Sequence, residues 1–262
     1  MKKFSLFSLL LLFTLALAAC GSGDSEEASG DGGDSDSDSN VYTVGVDTTY
    51  PPFEFQEDGE LVGIDIDLIN AIAEDQGFEI QIESMDFSGI IPAMQAGELD
   101  IGMGGMSITE ERKETVDFSD PYFESGLTLV TAAGNSEISG LEDLEGKTIA
   151  VKNGTTGAKF AADNEAEYGY EIVQVNDSTA MFQEVGNGSS DVLIEDYPVI
   201  AYAIEKSSLD LQIVGDKLNG DNYGISVLKG QNDELLQKIN DGLASLKESG
   251  KYDEILSKYL GE

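Results

Sequence analysis

From residue 41 to residue 260 the chain alternates short apolar runs with segments of helical spacing, and this alternation restricts the fold more than any other feature of the sequence. Residues 41–47 form an apolar-rich strand candidate. Residues 65–76 (DIDLINAIAEDQ) place Leu68, Ile69, Ile72 and Ala73 on one helical face, and Gly77 follows as a stop. Residues 78–85 alternate as FEIQIESM, the period of a strand. A short helix is expected over 89–96 and a strand over 99–103. The logic then repeats, with a strand over 147–152 and a helix over 156–168 that has hydroxyls at its start. Strands over 170–175, 192–195 and 211–214 follow, with helices between them. The last stretch, 234–260, is helical and broken at Gly250. Short strands alternating with helices predict an α/β fold with largely parallel sheets. A body of about 220 residues is compatible with one domain or two.

The segment before this body has a different character. Lys2 and Lys3 make a short positive start, and residues 4–17 are apolar but too few for an ordinary membrane-spanning helix. The run ends in Leu17-Ala18-Ala19-Cys20-Gly21, small residues before the single cysteine of the chain. This resembles a bacterial lipoprotein lipobox, in which Cys20 is lipidated and becomes the new N-terminus; a plain secretory signal with an incidental cysteine is the alternative. One cysteine permits no disulfide within the chain. Residues 21–40 (GSGDSEEASGDGGDSDSDSN) cannot bury apolar surface and are expected to be a disordered acidic linker. Their Asp-Ser repeats lack the Gly and terminal Glu of a calcium loop. No later segment reads as a bilayer span. A body tethered by lipid to the outer face of the cell membrane is therefore expected.

Charge narrows the function. Of the 51 acidic and 14 basic side chains, 44 and 12 respectively lie beyond residue 40, so the acidity belongs to the body as well as to the tail. A surface of that sign excludes nucleic acid as a partner, which requires a basic footprint. Self-repulsion at this density is strong in dilute buffer and weak near 1 M salt, where the Debye length is about 3 Å; a saline habitat is the expectation that follows. The only arginine is Arg112, in the run GMSITEER. Its planar fork fits a carboxylate in a way lysine does not. Either it recognises a carboxylate or it forms a structural ion pair with Asp117 or Glu110.

Six phrases carry a resemblance: VGVDTTYPPFEF, GIDIDLINAIAE, MDFSGIIPAMQAGELD, GMSITEERKETVDFSDPYFESG, KTIAVKNGTTG and VLIEDYPVIAY. In order and spacing they resemble the family 3 extracellular solute-binding proteins, the polar amino-acid receptors of ABC importers. The phrase MDFSGIIPAMQ and the pairing of Asp47 with Lys152 are most similar to the glutamine-binding branch. The resemblance implies a type II periplasmic-binding-protein fold. That is an α/β fold of two lobes, with two mixed sheets, flanking helices and a two-strand hinge. One lobe is expected over 41–126 plus 222–262 and the other over 127–221. The crossings are expected near 124–128 and 218–222, where Gly126 and Asn219-Gly220 suit a hinge.

The resemblance also implies residue roles. Arg112 grips the ligand α-carboxylate. Backbone amides near Gly105 and Ser107, with the Ser107 hydroxyl, complete the anion site, and the Thr156 amide at a helix start points at the same group. Asp196 binds the ammonium. Tyr50 and Phe87 cover the aliphatic chain of the ligand. Asp47 and Lys152 select its side chain: an Asp accepts from an amide NH2, a Lys donates to an amide oxygen, and their charges cancel. A neutral carboxamide then fits best, which favours glutamine. The family histidine that often precedes the ammonium-binding acid is here Glu195, and an extra acid there favours a cationic ligand; glutamate is a further alternative. Half of these partners lie in each lobe, so a ligand touching both stabilises the closed state. The expected protein is a monomeric receptor that needs no cofactor or metal, binds a free amino acid and docks on membrane permease subunits. Two other classes stay open. One is a dehydratase of the same fold acting on arogenate or prephenate, for which the acid/base candidates are Asp47, Glu195, Asp196 and Lys152. The other is a detached ligand-sensing domain.

Overall fold

The computed structural model describes residues 40–261, apart from Ser208. The leader, Cys20 and linker residues 21–39 lie outside the described residues. In chain order the elements are β1 (Val41–Val46), β2 (Thr49–Tyr50), β3 (Glu54–Glu57), β4 (Glu60–Val62), α1 (Ile64–Gln76), β5 (Glu79–Ser84), α2 (Ile90–Gln95), β6 (Ile101–Gly102), β7 (Val116–Phe118), β8 (Phe123–Ser125), β9 (Leu127–Ala132) and β10 (Thr148–Lys152). They continue with α3 (Thr156–Tyr168), β11 (Glu171–Val175), α4 (Ser178–Gly186), β12 (Val192–Asp196), α5 (Tyr197–Ser207), β13 (Leu211–Val214), β14 (Asp221–Tyr223), β15 (Ser226–Leu228), α6 (Asp233–Ser249) and α7 (Lys251–Leu260).

Two five-stranded sheets share one plan. The first has the order β5-β1-β6-β15-β7 and the second β11-β10-β12-β9-β13. In each, three parallel strands are joined to two strands that pair antiparallel, β15 on β6 and β7 in the first sheet, β9 on β12 and β13 in the second. The sheets are thus mixed, not largely parallel as the alternation alone predicts. The reason is that the chain leaves the first sheet after β7, builds the second, and returns to insert β15 between β6 and β7.

The crossings pair with each other. β8 and β14 form an antiparallel ribbon in the register Ser125↔Asp221, Glu124↔Asn222 and Phe123↔Tyr223. Gly126 follows at φ 157°, and a Cβ there would lie 2.4 Å from the Asn219 carbonyl oxygen. Only glycine allows that approach. The Asn219 side chain accepts from the Leu127 amide at 2.7 Å and fixes the exit of the ribbon.

Burial follows the strand pattern. β12 (VLIED) is buried at every position, as expected of a central strand covered on both faces. α1 lays Leu68, Ile69 and Ile72 against the first sheet, each fully buried, and ends at Gly77 in the left-handed conformation. The Thr155 hydroxyl caps α3 by accepting from the Ala158 amide at 3.1 Å, and Gly169 closes the helix. Among the described residues no helix is long and apolar enough to cross a membrane.

Candidate functional site

The carboxyl ends of the strands point into one cleft, the usual place for a ligand in an α/β sheet. Asp47 follows β1 and Gly104–Ser107 follow β6. Lys152 ends β10, and Asp196 is the last residue of β12. Tyr50, Phe87, Gly104, Gly105, Ser107, Arg112, Lys152, Thr155, Thr156 and Asp196 line one tight cavity.

One end of the cavity is electropositive. Arg112 sits on the short 3-10 turn Arg112–Glu114, its amide held by the Thr109 hydroxyl at 3.1 Å. Its guanidinium donates to the Ser107 carbonyl at 2.7 Å and to the Gly154 carbonyl at 3.0 Å, and so spans the cleft. It lies 5.2 Å from the centre of the Phe87 ring. Those two bonds leave three of the five N–H groups of the fork for another acceptor. The ion pair with Glu110 or Asp117 is not formed: Glu110 takes Lys113 at 2.8 Å, and Asp117 accepts from the Gly230 amide at 3.0 Å. The N-terminus of α3 enters beside Arg112 through Thr155 and Thr156, and its free amides add positive potential. Gly105 completes the wall at φ 53°, where a Cβ would lie 2.5 Å from the Tyr50 ring.

The other end is acidic. Asp196 accepts from the Tyr50 hydroxyl and from the Tyr223 hydroxyl, each at 2.6 Å and both on Oδ2. Its Oδ1 is buried and has no partner among the described residues. Glu195 accepts from the Asp196 amide at 2.8 Å and from the Tyr50 hydroxyl at 3.2 Å, both on Oε1. Burial raises both carboxyls. For Glu195 the burial and the neighbouring acid bring it to about 8; Asp196 is raised as well, with the two tyrosine donors acting against burial.

Lys152 and Asp47 converge as expected, 2.9 Å apart and both buried. Lys152 also donates to the Ser178 hydroxyl at 3.4 Å and lies 5.0 Å from the Tyr50 ring centre. Asp47 does not line the cavity. Its Oδ1 is taken by the amide and hydroxyl of Thr49 at 2.6 and 2.7 Å, and its Oδ2 by Lys152. Burial would raise the Asp47 carboxyl, but the adjacent ammonium and the two Thr49 donors together outweigh it and hold the group below its ordinary value. Asp47 thus stands behind Lys152 and neutralises it.

Sequence reading missed three groups near the cavity. Tyr223 comes from the ribbon. Asp65 and Glu54 lie fully buried beneath the Gly104–Gly105 loop. Asp65 Oδ2 accepts from the Gly105 amide and the Tyr122 hydroxyl, each at 2.9 Å, which pins the loop. Burial raises Asp65 to about 6 and Glu54 well above its ordinary value. Asp65 looks like an ordinary dipole-favoured acid in the first turn of a helix, and Glu54 like a strand-face acid, so their sequence context gives no sign of burial. Among the described residues no group of three or more His, Cys, Asp or Glu could hold a metal ion.

Comparison with known proteins gives the family and the fold. The sequence model for bacterial extracellular solute-binding proteins, family 3, matches residues 42–262. The arginine-binding extracellular protein ArtP of Bacillus subtilis (strain 168) is 32% identical over 219 residues, covering 83% of this chain and 85% of that protein. Among solved structures, an ancestral arginine-binding protein bound to arginine superposes with a TM-score of 0.80 at 43% identity, covering 85% of this chain and 99% of the other. A structure described as an ancestral arginine-binding protein bound to glutamine gives 0.79 at 44% identity, with the same coverage.

Proposed function

The chain belongs to the bacterial extracellular solute-binding proteins, family 3, and from that premise we propose that it is the receptor of an ABC importer, closing two lobes around a free polar L-amino acid and delivering it to a membrane permease. The observation that carries this reading is the pair of unfilled valences on two residues that line one cavity: free N–H groups on Arg112 and the unpartnered Oδ1 of Asp196. A zwitterion supplies what both lack, a carboxylate for one and an ammonium for the other. An unpaired buried charge is costly, so a ligand that satisfies both ends favours the state in which both are enclosed. We take residues 41–126 plus 222–262 as one lobe and 127–221 as the other, with the β8–β14 ribbon as the hinge. We also take Cys20 as the site of a lipid anchor on the outer face of the cell membrane.

For the ligand side chain the reading favours glutamine. The Lys152 ammonium lines the cavity with Asp47 behind it, so a carboxamide oxygen finds a donor and no net charge. A guanidinium or ammonium side chain would meet Lys152 first, and a second carboxylate would meet a cation already neutralised. Arginine is the second reading, favoured by similarity to proteins described as arginine-binding, among them an ancestral one bound to arginine. A thermal-shift screen of the twenty amino acids separates the two. Glutamine giving the largest rise in melting temperature supports the first reading, arginine the second, and no rise with any of the twenty contradicts the receptor function. Incubation with arogenate or prephenate tests the same-fold dehydratase, with turnover counting against a pure receptor.

A further inference from the structure

Tyr223 stands just behind the cavity wall and does not line the cavity itself. It is fully buried and sits at the end of β14, half of the ribbon between the two sheets. Phe53 meets its ring edge-on at 5.0 Å and Phe123 stacks on it at 5.9 Å, so the ring has one place to be. Its backbone bridges Ser107. On either side, the Ile108 amide donates to the Asn222 carbonyl at 2.8 Å and the Gly224 amide to the Met106 carbonyl at 3.0 Å. The ribbon is thereby stitched to the loop that carries Ser107 and leads to Arg112. The Tyr223 hydroxyl reaches the opposite end of the site, donating to Asp196 Oδ2 while it accepts from the Ser125 hydroxyl on β8 at 3.0 Å.

We infer that Tyr223 is a positioning residue for ligand recognition: supported by Ser125, its hydroxyl fixes the rotation of Asp196 so that Oδ1 faces the cavity, and it anchors that acid to the hinge ribbon. The inference rests on the reading of Asp196 as the ammonium partner. A phenylalanine would make the same ring contacts, so packing alone does not account for the hydroxyl. With both tyrosines on Oδ2, the carboxylate has one oxygen left for a cation. Donors of this kind also favour the ionised carboxylate against its burial. The charged and titratable groups around Asp196 are Glu195 on its own strand, Tyr50 from β2, Arg112 across the cavity, and Asp221 and Tyr223 from the ribbon.

The test is calorimetric titration of L-glutamine and L-arginine into the wild type, Tyr223→Phe, Ser125→Ala and the double variant, from pH 5 to 8. Tyr223→Phe is expected to weaken the better ligand about tenfold or more, the range for a hydrogen bond to a charged group. Ser125→Ala should cost less, and should cost nothing further once the tyrosine hydroxyl is gone. The pH below which affinity is lost should move upward in Tyr223→Phe, since a carboxyl deprived of a donor ionises at higher pH. Wild-type affinity in Tyr223→Phe would overturn the inference. So would additive losses with an unmoved pH profile, which mark a merely structural role. A wild type that binds neither ligand, nor any of the twenty in the thermal screen, removes the receptor reading itself and this inference with it.

Discussion

Four buried carboxyl groups, those of Glu54, Asp65, Glu195 and Asp196, lie in or behind the wall of the cavity that Arg112 and Lys152 also line. All four are pushed upward, first by burial. A raised carboxyl binds its proton in the folded chain at pH values where the unfolded chain has released it. The unfolded state then holds fewer protons, and stability falls as pH rises. Asp65 at about 6 and Glu195 at about 8 set the window. The chain has no histidine, so the usual titrating group of this range is absent. The melting temperature of the ligand-free protein is therefore expected to drop steadily between about pH 5.5 and 8. In strong acid the slope should reverse, because Asp47 is depressed by Lys152 and its contribution is lost as pH falls through its folded value. Scanning calorimetry across this range checks both limbs; a flat profile from pH 5.5 to 8 would show that the buried acids are ionised in the folded state.

Among the elements, the β8–β14 ribbon is the proposed hinge, and Gly126, which follows it, tolerates no side chain. At φ 157° an alanine is strained, and its Cβ would meet the Asn219 carbonyl at 2.4 Å. Gly126→Ala is expected to destabilise by about 1–3 kcal/mol, read as a lower urea midpoint; an unchanged midpoint would mean the ribbon can shift freely. How far each element was legible in the sequence follows from how local its signals are. The bounds of α3, Thr156–Tyr168, agree with the reading because a capping hydroxyl and a terminal Gly mark both ends. α6 and α7 separate at Gly250 for the same reason. The cap itself belongs to Thr155, one residue before the threonine singled out from the sequence. The small sheet β2-β3-β4 was not foreseen, since strands of two to four residues carry no measurable period. β7 and β15 were hidden likewise, at three residues each. Arg112 stood out by its rarity. Tyr223 had no such mark, because its meaning depends on Asp196, 27 positions away in sequence.

For the whole molecule the dominant quantity is charge. A formal net charge of −37 over 262 residues opposes compaction in dilute buffer. Raising NaCl toward 1 M shortens the Debye length to about 3 Å and relieves that repulsion. The melting temperature is expected to rise by several degrees between 0.05 and 1 M NaCl. A steady fall would instead mean that exposed ion pairs such as Lys159–Asp163 and Lys258–Asp67 stabilise the fold more than repulsion opposes it. Arg112 and Lys152, beside the α3 N-terminus, stand out in the cleft against that acidity. The most direct measurement is calorimetric titration of the best thermal-shift ligand into the wild type and Asp196→Asn. The role of Asp196 as the ammonium partner predicts one site per chain and a loss of about 10²-fold or more in the variant, the cost of leaving a buried ammonium without its counter-charge. Equal affinity in the two proteins would contradict it.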